Sequence, residues 1–255
     1  MSDKKLTSSL SDARVDGVTL RGKDLVTELM GHLSFTDMVY FLVTGNPPTA
    51  GQSRVLDAVL VTLMDHGLTP HAITARLTYF AAPESIQGAM AAGLLGVGGQ
   101  FAGTMDGAAA LILRVAGAAT PEAAAKEADA VVAEFRARRQ PLPGFGHPQH
   151  RPDDPRTPRL FEIAEGAGTG GRHIAALKLL GEAVDRSRGR HVTINATGAI
   201  AAVLLEIDFP APLVRGVAVI SRAGGLLAQI AEERERHLAP EIWNMVEHAV
   251  DYDGG

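Results

Sequence analysis

Two histidines, two adjacent aspartates and two arginines share one segment, Pro141-Leu142-Pro143-Gly144-Phe145-Gly146-His147-Pro148-Gln149-His150-Arg151-Pro152-Asp153-Asp154-Pro155-Arg156. Its prolines remove backbone donors and its glycines raise the entropic cost of order, so it is neither regular helix nor central strand. His147 stands between Gly146 and Pro148 on a stiff stretch of chain. Its neutral imidazole can donate to a carbonyl or accept a proton near neutrality. Arg156 offers a planar fork that matches a carboxylate. Together they suit an oxoacid or hydroxyacid, with arginine on the carboxylate and histidine on the adjacent oxygen. Two other readings stay open. Asp153 and Asp154 could simply pair with Arg151 and Arg156 on a surface loop. His147, His150 and an aspartate could hold a metal, although two histidines three apart off a helix are a weak signal.

A long charged loop needs rigid elements on both sides. Nearly every apolar segment has helical period. Val55, Leu56, Val59, Leu60 and Leu63 make one stripe, and Ile174, Leu177, Leu180 and Val184 a second. Leu213, Val214, Val217, Ile220, Leu227 and Ile230 make a third. Thr120-Pro121-Glu122 is a helix start: a cap oxygen, proline in the first turn, then an acid at the positive end of the dipole. The breaks are Asn46-Pro47-Pro48, Asp65 to Pro70, the glycine-rich Gly96 to Phe101, and the longest, residues 141–158. Strands are limited to Arg14–Leu20 and His191–Ile194. Residues 1–12 and 251–255 read as mobile tails.

Composition narrows the class. Hydrophobic residues make up 46% of the 255 and charged residues 21%, a globular balance with ample core. Aromatics are only 5%, so alanine and leucine carry the core, which favours close-packed helices. A formal charge of −5 gives no general attraction to nucleic acid or an anionic membrane. With no cysteine, disulfides, zinc–thiolate sites and thiol catalysis are excluded. The start lacks the apolar core of a signal peptide, and no apolar run reads as a membrane span. A cytoplasmic protein is expected.

Three further features carry a family resemblance. Gly144-Phe145-Gly146-His147 followed by Asp154-Pro155-Arg156 resembles the signature of the citrate synthase family. Asp65-His66-Gly67 resembles that family's first substrate histidine. Ser221-Arg222-Ala223-Gly224 with Leu227-Ala228 resembles the segment that carries another carboxylate-binding arginine. The three occur in family order, and the resemblance covers residues 12 to 250. It implies an all-α, two-domain homodimer. The large domain would hold residues 13–103 and 209–250, and the small domain 104–208 with the loop at 141–158.

Within the family, Gly99-Gln100-Phe101-Ala102-Gly103-Thr104-Met105-Asp106 resembles the short citryl-CoA lyases, including the lyase module of ATP citrate lyase. Phe101 falls where a citrate synthase carries a histidine. The implied function is cleavage of a carboxylated 3-hydroxyacyl-CoA to acetyl-CoA and an oxoacid, with coenzyme A as part of substrate and product and no metal or redox cofactor. His147 and His66 would engage the 3-hydroxyl, with His147 taking its proton. Arg156 and Arg222 would bind carboxylates, Phe101 would pack beside the thioester, and Arg151 would meet a CoA phosphate. Asn195-Ala196-Thr197-Gly198 departs from the lyases' Asn-Val-Asp-Gly: Thr197 stands where the family keeps an acid–base aspartate. A hydroxyl cannot be that base, and positioned acid–base catalysis is worth roughly 10²–10⁴-fold. Thr197 would at best orient a water. Asp106, Glu206 and Asp208 are the nearest carboxylates in sequence, although Asp208 also reads as a helix end. The alternatives are a non-catalytic paralogue that binds CoA or an oxoacid, and a condensing enzyme of the citrate synthase type.

Overall fold

The computed structural model describes residues 6–99 and 103–254. A small antiparallel ribbon comes first: β1 (Ser11–Arg14), β2 (Gly17–Leu20) and β3 (Lys23–Asp24). Arg14 lies opposite Gly17, so the strand expected at Arg14–Leu20 is a hairpin turning at Val15 and Asp16. The strand-forming valines on either side hid the turn. Ser11 and Asp12, expected in a tail, pair within β1.

Helices follow: α1 (Phe35–Thr44), α2 (Ala50–Leu63), α3 (Pro70–Ala81), α4 (Ile86–Leu95), α5 (Thr104–Ala116), α6 (Pro121–Ala137), α7 (Arg156–Gly166), α8 (Arg172–Arg188), α9 (Ala196–Glu206), α10 (Val214–Arg236) and α11 (Leu238–Ala249). Their starts are written locally. Ser34 with Asp37 and Thr49 with Gln52 form reciprocal capping boxes. Thr120 accepts from the Ala123 N–H ahead of Pro121, and Asn195 accepts from the Gly198 N–H. α7 begins at Arg156, so the last residues of the expected loop at 141–158 are helical.

α9 is the axis of the core. Ala196 and every residue from Gly198 to Leu205 are buried, as expected of a helix apolar all round. α5, α7, α8 and α2 pack around it. Tyr40 Oη donates to the Ile207 carbonyl at 2.7 Å and ties α1 to the end of α9. The α8 stripe of Ile174, Leu177, Leu180 and Val184 is buried. In α10 the inward face is Val214, Val217, Ala218, Leu226 and Ile230, whereas Leu213, Ile220 and Leu227 are exposed. Apolar residues on both sides of α10 blur its period. The stretch Ala211–Arg236 is also long and apolar enough to cross a membrane by length and composition, against the expectation of no such run. Here its inward face is part of the core.

The segment His191–Ile194 lies along the loop but forms only one bridge, Ile194 with Phe145. Around it the Gly146 N–H donates to the Thr193 carbonyl at 2.8 Å and the Asn195 N–H to the Gly144 carbonyl at 3.1 Å. Gly144, at φ +89°, and Gly198 touch: a Cβ on Gly198 would lie 2.7 Å from the Gly144 carbonyl. The loop is thereby pressed onto the start of α9.

Candidate active site

His147 and Arg156 are neighbours, with Nε2 and Nη2 3.5 Å apart. Arg156 does not stand alone. Its Nε and Nη2 donate to the two oxygens of Asp154 at 2.9 and 2.8 Å, and Asp154 is fully buried. The Arg156 N–H and the Ala196 N–H also donate to Asp154, at 3.1 and 3.0 Å. Burial would raise the Asp154 pKa, but the arginine and the two N–H groups outweigh it and hold the carboxyl below its ordinary value. This pair anchors the loop to α7 and α9 at once. The surface-loop reading had the right partner for Asp154 and the wrong environment. Asp153 instead meets His191 Nε2 at 3.0 Å, and His191 Nδ1 meets Asp185 at 2.8 Å.

The His147 ring is held by the backbone that follows it. The N–H groups of Gln149 and His150 both donate to Nδ1, at 3.1 and 2.9 Å. A neutral imidazole has one N–H, and the bonds to Nδ1 and the Arg156 contact at Nε2 draw on opposite tautomers. Burial, then the charges of His150, Arg156 and His66, press the His147 pKa below its ordinary value, with Asp154 opposing. His147 Nε2 and Arg156 Nη2 stand side by side, 3.5 Å apart. That pair suits one substrate oxygen.

The other expected residues fall around this pair. His66 is exposed on the loop between α2 and α3, and its charge is felt at His147. Arg222 lies on α10, half-buried, with Nη1 buried and without a partner among the described residues. Burial lowers its pKa and the Asp65 carboxylate opposes that. Arg151 lines a cleft of about 450 Å³ with Gly146, His147, Arg190 and His191. Thr197 Oγ1 donates to Asn195 Oδ1 at 2.7 Å and accepts from Thr104 Oγ1 at 3.1 Å. Phe101 lies outside the described residues.

The three carboxylates near the motifs differ in what they meet, and Asp106 keeps Oδ1 buried and unpartnered among the described residues. Glu206 accepts from the N–H groups of Gly171, His173 and Ile174 at 2.9 Å and so caps α8. Asp106 is paired with Arg215 at 3.3 Å. Asp208, at φ +58°, ends α9. His147, His150 and Asp154 do bring donor atoms within 4.8 Å of one another. Of these, His147 Nδ1 already accepts from two backbone N–H groups and Asp154 from Arg156 and Ala196.

Two features escaped the sequence reading. His71 is buried, with Nε2 2.9 Å from Thr69 Oγ1 and Nδ1 unpartnered among the described residues. Burial, then the Arg222 charge, lowers its pKa. Arg76 is wholly buried beside Gln229, Glu232 and Glu233. An arginine in the middle of an apolar helix was the available signal.

Comparison with known proteins bears on the fold and the family. Residues 21–243 match the family model described as citrate synthase, C-terminal domain. Citryl-CoA lyase from Hydrogenobacter thermophilus superposes with a TM-score of 0.81 at 31% identity, over 89% of this chain and 86% of that one. ATP citrate lyase from Methanothrix soehngenii, solved with citrate and coenzyme A, superposes at 0.77 with 20% identity, over 92% of this chain and 40% of that one. A Mycobacterium tuberculosis protein provisionally named citrate synthase 2 is 28% identical over 190 residues, 73% of this chain and 49% of its own. The chain thus spans about half the length of the curated relatives it matches. By the matched region, the shared helical fold and the order of its site motifs, this chain belongs to the citrate synthase family.

Proposed function

We propose that this protein is a CoA-dependent carbon–carbon lyase of the citryl-CoA type, which cleaves a carboxylated 3-hydroxyacyl-CoA to acetyl-CoA and an oxoacid. The observation that carries the reading is the adjacency of His147 Nε2 and Arg156 Nη2, 3.5 Å apart. They suit the oxygen that becomes the oxoacid carbonyl. Arg156 and Arg222 hold carboxylates. His147 and His66 engage the 3-hydroxyl, and His147 takes its proton. As the O–H electrons form the carbonyl, the carbon–carbon pair passes to the acetyl thioester as its enolate. A water held by Thr197 and its hydroxyl partner Thr104 returns a proton to that carbon. Arg151, with Arg190 across the cleft, suits the phosphates of coenzyme A. Phe101 belongs beside the thioester. No metal or redox cofactor enters these steps.

The same reading makes the protein a cytoplasmic homodimer of small molecule-handling subunits. The apolar Trp243, Met245 and Val246 exposed on α11 offer a surface for a second copy. It also divides the chain into a large domain, 13–103 with 209–250, and a small one, 104–208, closing over substrate to exclude water.

One observation favours a second reading, a binding paralogue without turnover. Thr197, Thr104 and Asn195 form a neutral hydrogen-bonded chain where a base is needed. Incubation of the pure protein with citryl-CoA and a panel of branched 3-hydroxyacyl-CoAs, followed by mass spectrometry, decides between them. Acetyl-CoA from one of them, lost in His147→Ala, supports the lyase. Saturable CoA or dicarboxylate binding with no product supports the paralogue. Product in the condensing direction, with hydrolysis, supports a synthase. Thr197→Asp raises turnover on citryl-CoA if the substrate is citryl-like.

A further inference from the structure

Arg76 on α3 is a buried charge that the reaction above does not use. Its Nε donates to Gln229 Oε1 at 2.7 Å, its Nη1 to Glu233 Oε2 at 3.0 Å, and its Nη2 to Glu232. Gln229 sits on α10 beyond Arg222 and passes the contact on. Its Nε2 donates to Asp65 Oδ2 at 2.8 Å. Only one orientation of the amide satisfies both neighbours, with oxygen toward the guanidinium and nitrogen toward the carboxylate. The second Asp65 oxygen accepts from the Gly67 N–H at 2.7 Å and closes the turn around His66. The Asp65 charge also acts on Arg222 and His71.

The chain of bonds therefore runs from a buried guanidinium to the turn that carries one substrate histidine and to the counter-charge of a substrate arginine. His66 is exposed on a short turn in which Gly67 has φ +73°. Core packing alone does not call for an arginine with three polar partners, since burying one is costly unless every donor is met.

We propose that Gln229 is a positioning residue: set by Arg76, it holds Asp65 and the turn it closes so that His66 is aimed at the substrate oxygens. This rests on the lyase reading of the cleft. The decisive variant is Gln229→Glu. It keeps the shape and an acceptor for Arg76 but replaces the donor to Asp65 with a like charge. Asp65→Asn is the second variant, which keeps an acceptor for Gln229 and removes the charge. Three measurements are made on the whole chain: thermal unfolding, histidine side-chain NMR through a pH titration, and acetyl-CoA release.

The expected result is a folded Gln229→Glu protein with shifted His66 resonances and His147 resonances in place. Its kcat falls at least tenfold, with KM for the acyl-CoA changed by less than threefold. Asp65→Asn weakens oxaloacetate binding at least fivefold. Wild-type His66 resonances and wild-type kinetics in Gln229→Glu overturn the proposal. Loss of fold in Gln229→Glu passes the decision to Asp65→Asn, where unchanged His66 titration and unchanged oxaloacetate affinity overturn it. Should the wild-type protein release no acetyl-CoA, the lyase reading fails, and the His66 resonances still decide whether the relay positions that ring.

Discussion

Replacing Asp154 with asparagine removes the anion at the centre of the loop's anchorage. The carboxylate receives four N–H groups: Nε and Nη2 of Arg156, and the backbone groups of Arg156 and Ala196. An asparagine has one acceptor oxygen and turns an NH₂ group toward the remaining donors. Breaking a buried ion pair by removing one partner costs about 3–5 kcal/mol. The Arg156 side chain keeps 28% exposure and can rehydrate, which places the loss at the lower end, about 3 kcal/mol. At roughly 2–4 °C per kcal/mol for a chain of this size, the midpoint falls by about 6–12 °C.

The loss also has a pH signature. The folded-state pKa of Asp154 is depressed, so its stabilisation is present above the unfolded value of about 3.9 and lost as pH falls through the folded value. Urea unfolding of both proteins from neutral pH down to about pH 3 measures it, with the gap between them narrowing at the acid end. A neutral-pH difference below about 1 kcal/mol, the range of an exposed pair, or a gap that does not narrow in acid, would refute the argument that this pair is the buried anchor.

Three further outcomes follow from the same structure. A Cβ on Gly225 would collide with the Met64 backbone carbonyl, whereas one on Gly224 would meet only the flexible Met64 side chain at 3.5 Å or beyond. Gly225→Ala should therefore cost about 1–3 kcal/mol or more by overpacking, and Gly224→Ala should gain up to about 1 kcal/mol of helix propensity, read from denaturant midpoints. His191 is held protonated first by Asp185 and then by Asp153, which raises its pKa. Its tie between α8 and the loop is complete below about pH 6.5, the unfolded value, and is lost as pH rises through the higher folded value. Hydrogen exchange of the amides from Arg151 to Asp154 should accelerate across that upper range, and Asp153→Asn should move the change to lower pH. Tyr40→Phe removes the bond to the Ile207 carbonyl and should lower stability by about 1–2 kcal/mol, read in the same unfolding assay.

Much of this protein was written in short-range pattern. The apolar stripes of α2 and α8, the caps at Thr120 and Asn195, and the proline-rich break before α7 each depend on residues within a few positions of one another. They fix helix, start and loop without reference to the rest of the chain. The residue types on that loop, with His66 and Arg222, named the chemistry and the family. Periodicity failed where it was ambiguous, at Val15–Val18 and on α10, whose apolar residues lie on both faces.

What tertiary structure alone decided is who each polar group meets. Asp154 and Asp153, adjacent in sequence, went to different partners, one buried with Arg156 and one exposed with His191. His147 Nδ1 met two backbone N–H groups whose direction only the folded loop sets. Glu206 was spent on the cap of α8. Gln229 reached Asp65 across 164 residues of chain. A buried hydrogen bond is directional and short-ranged, so its partner is set by the packing of whole helices, and no local spacing in the sequence encodes it.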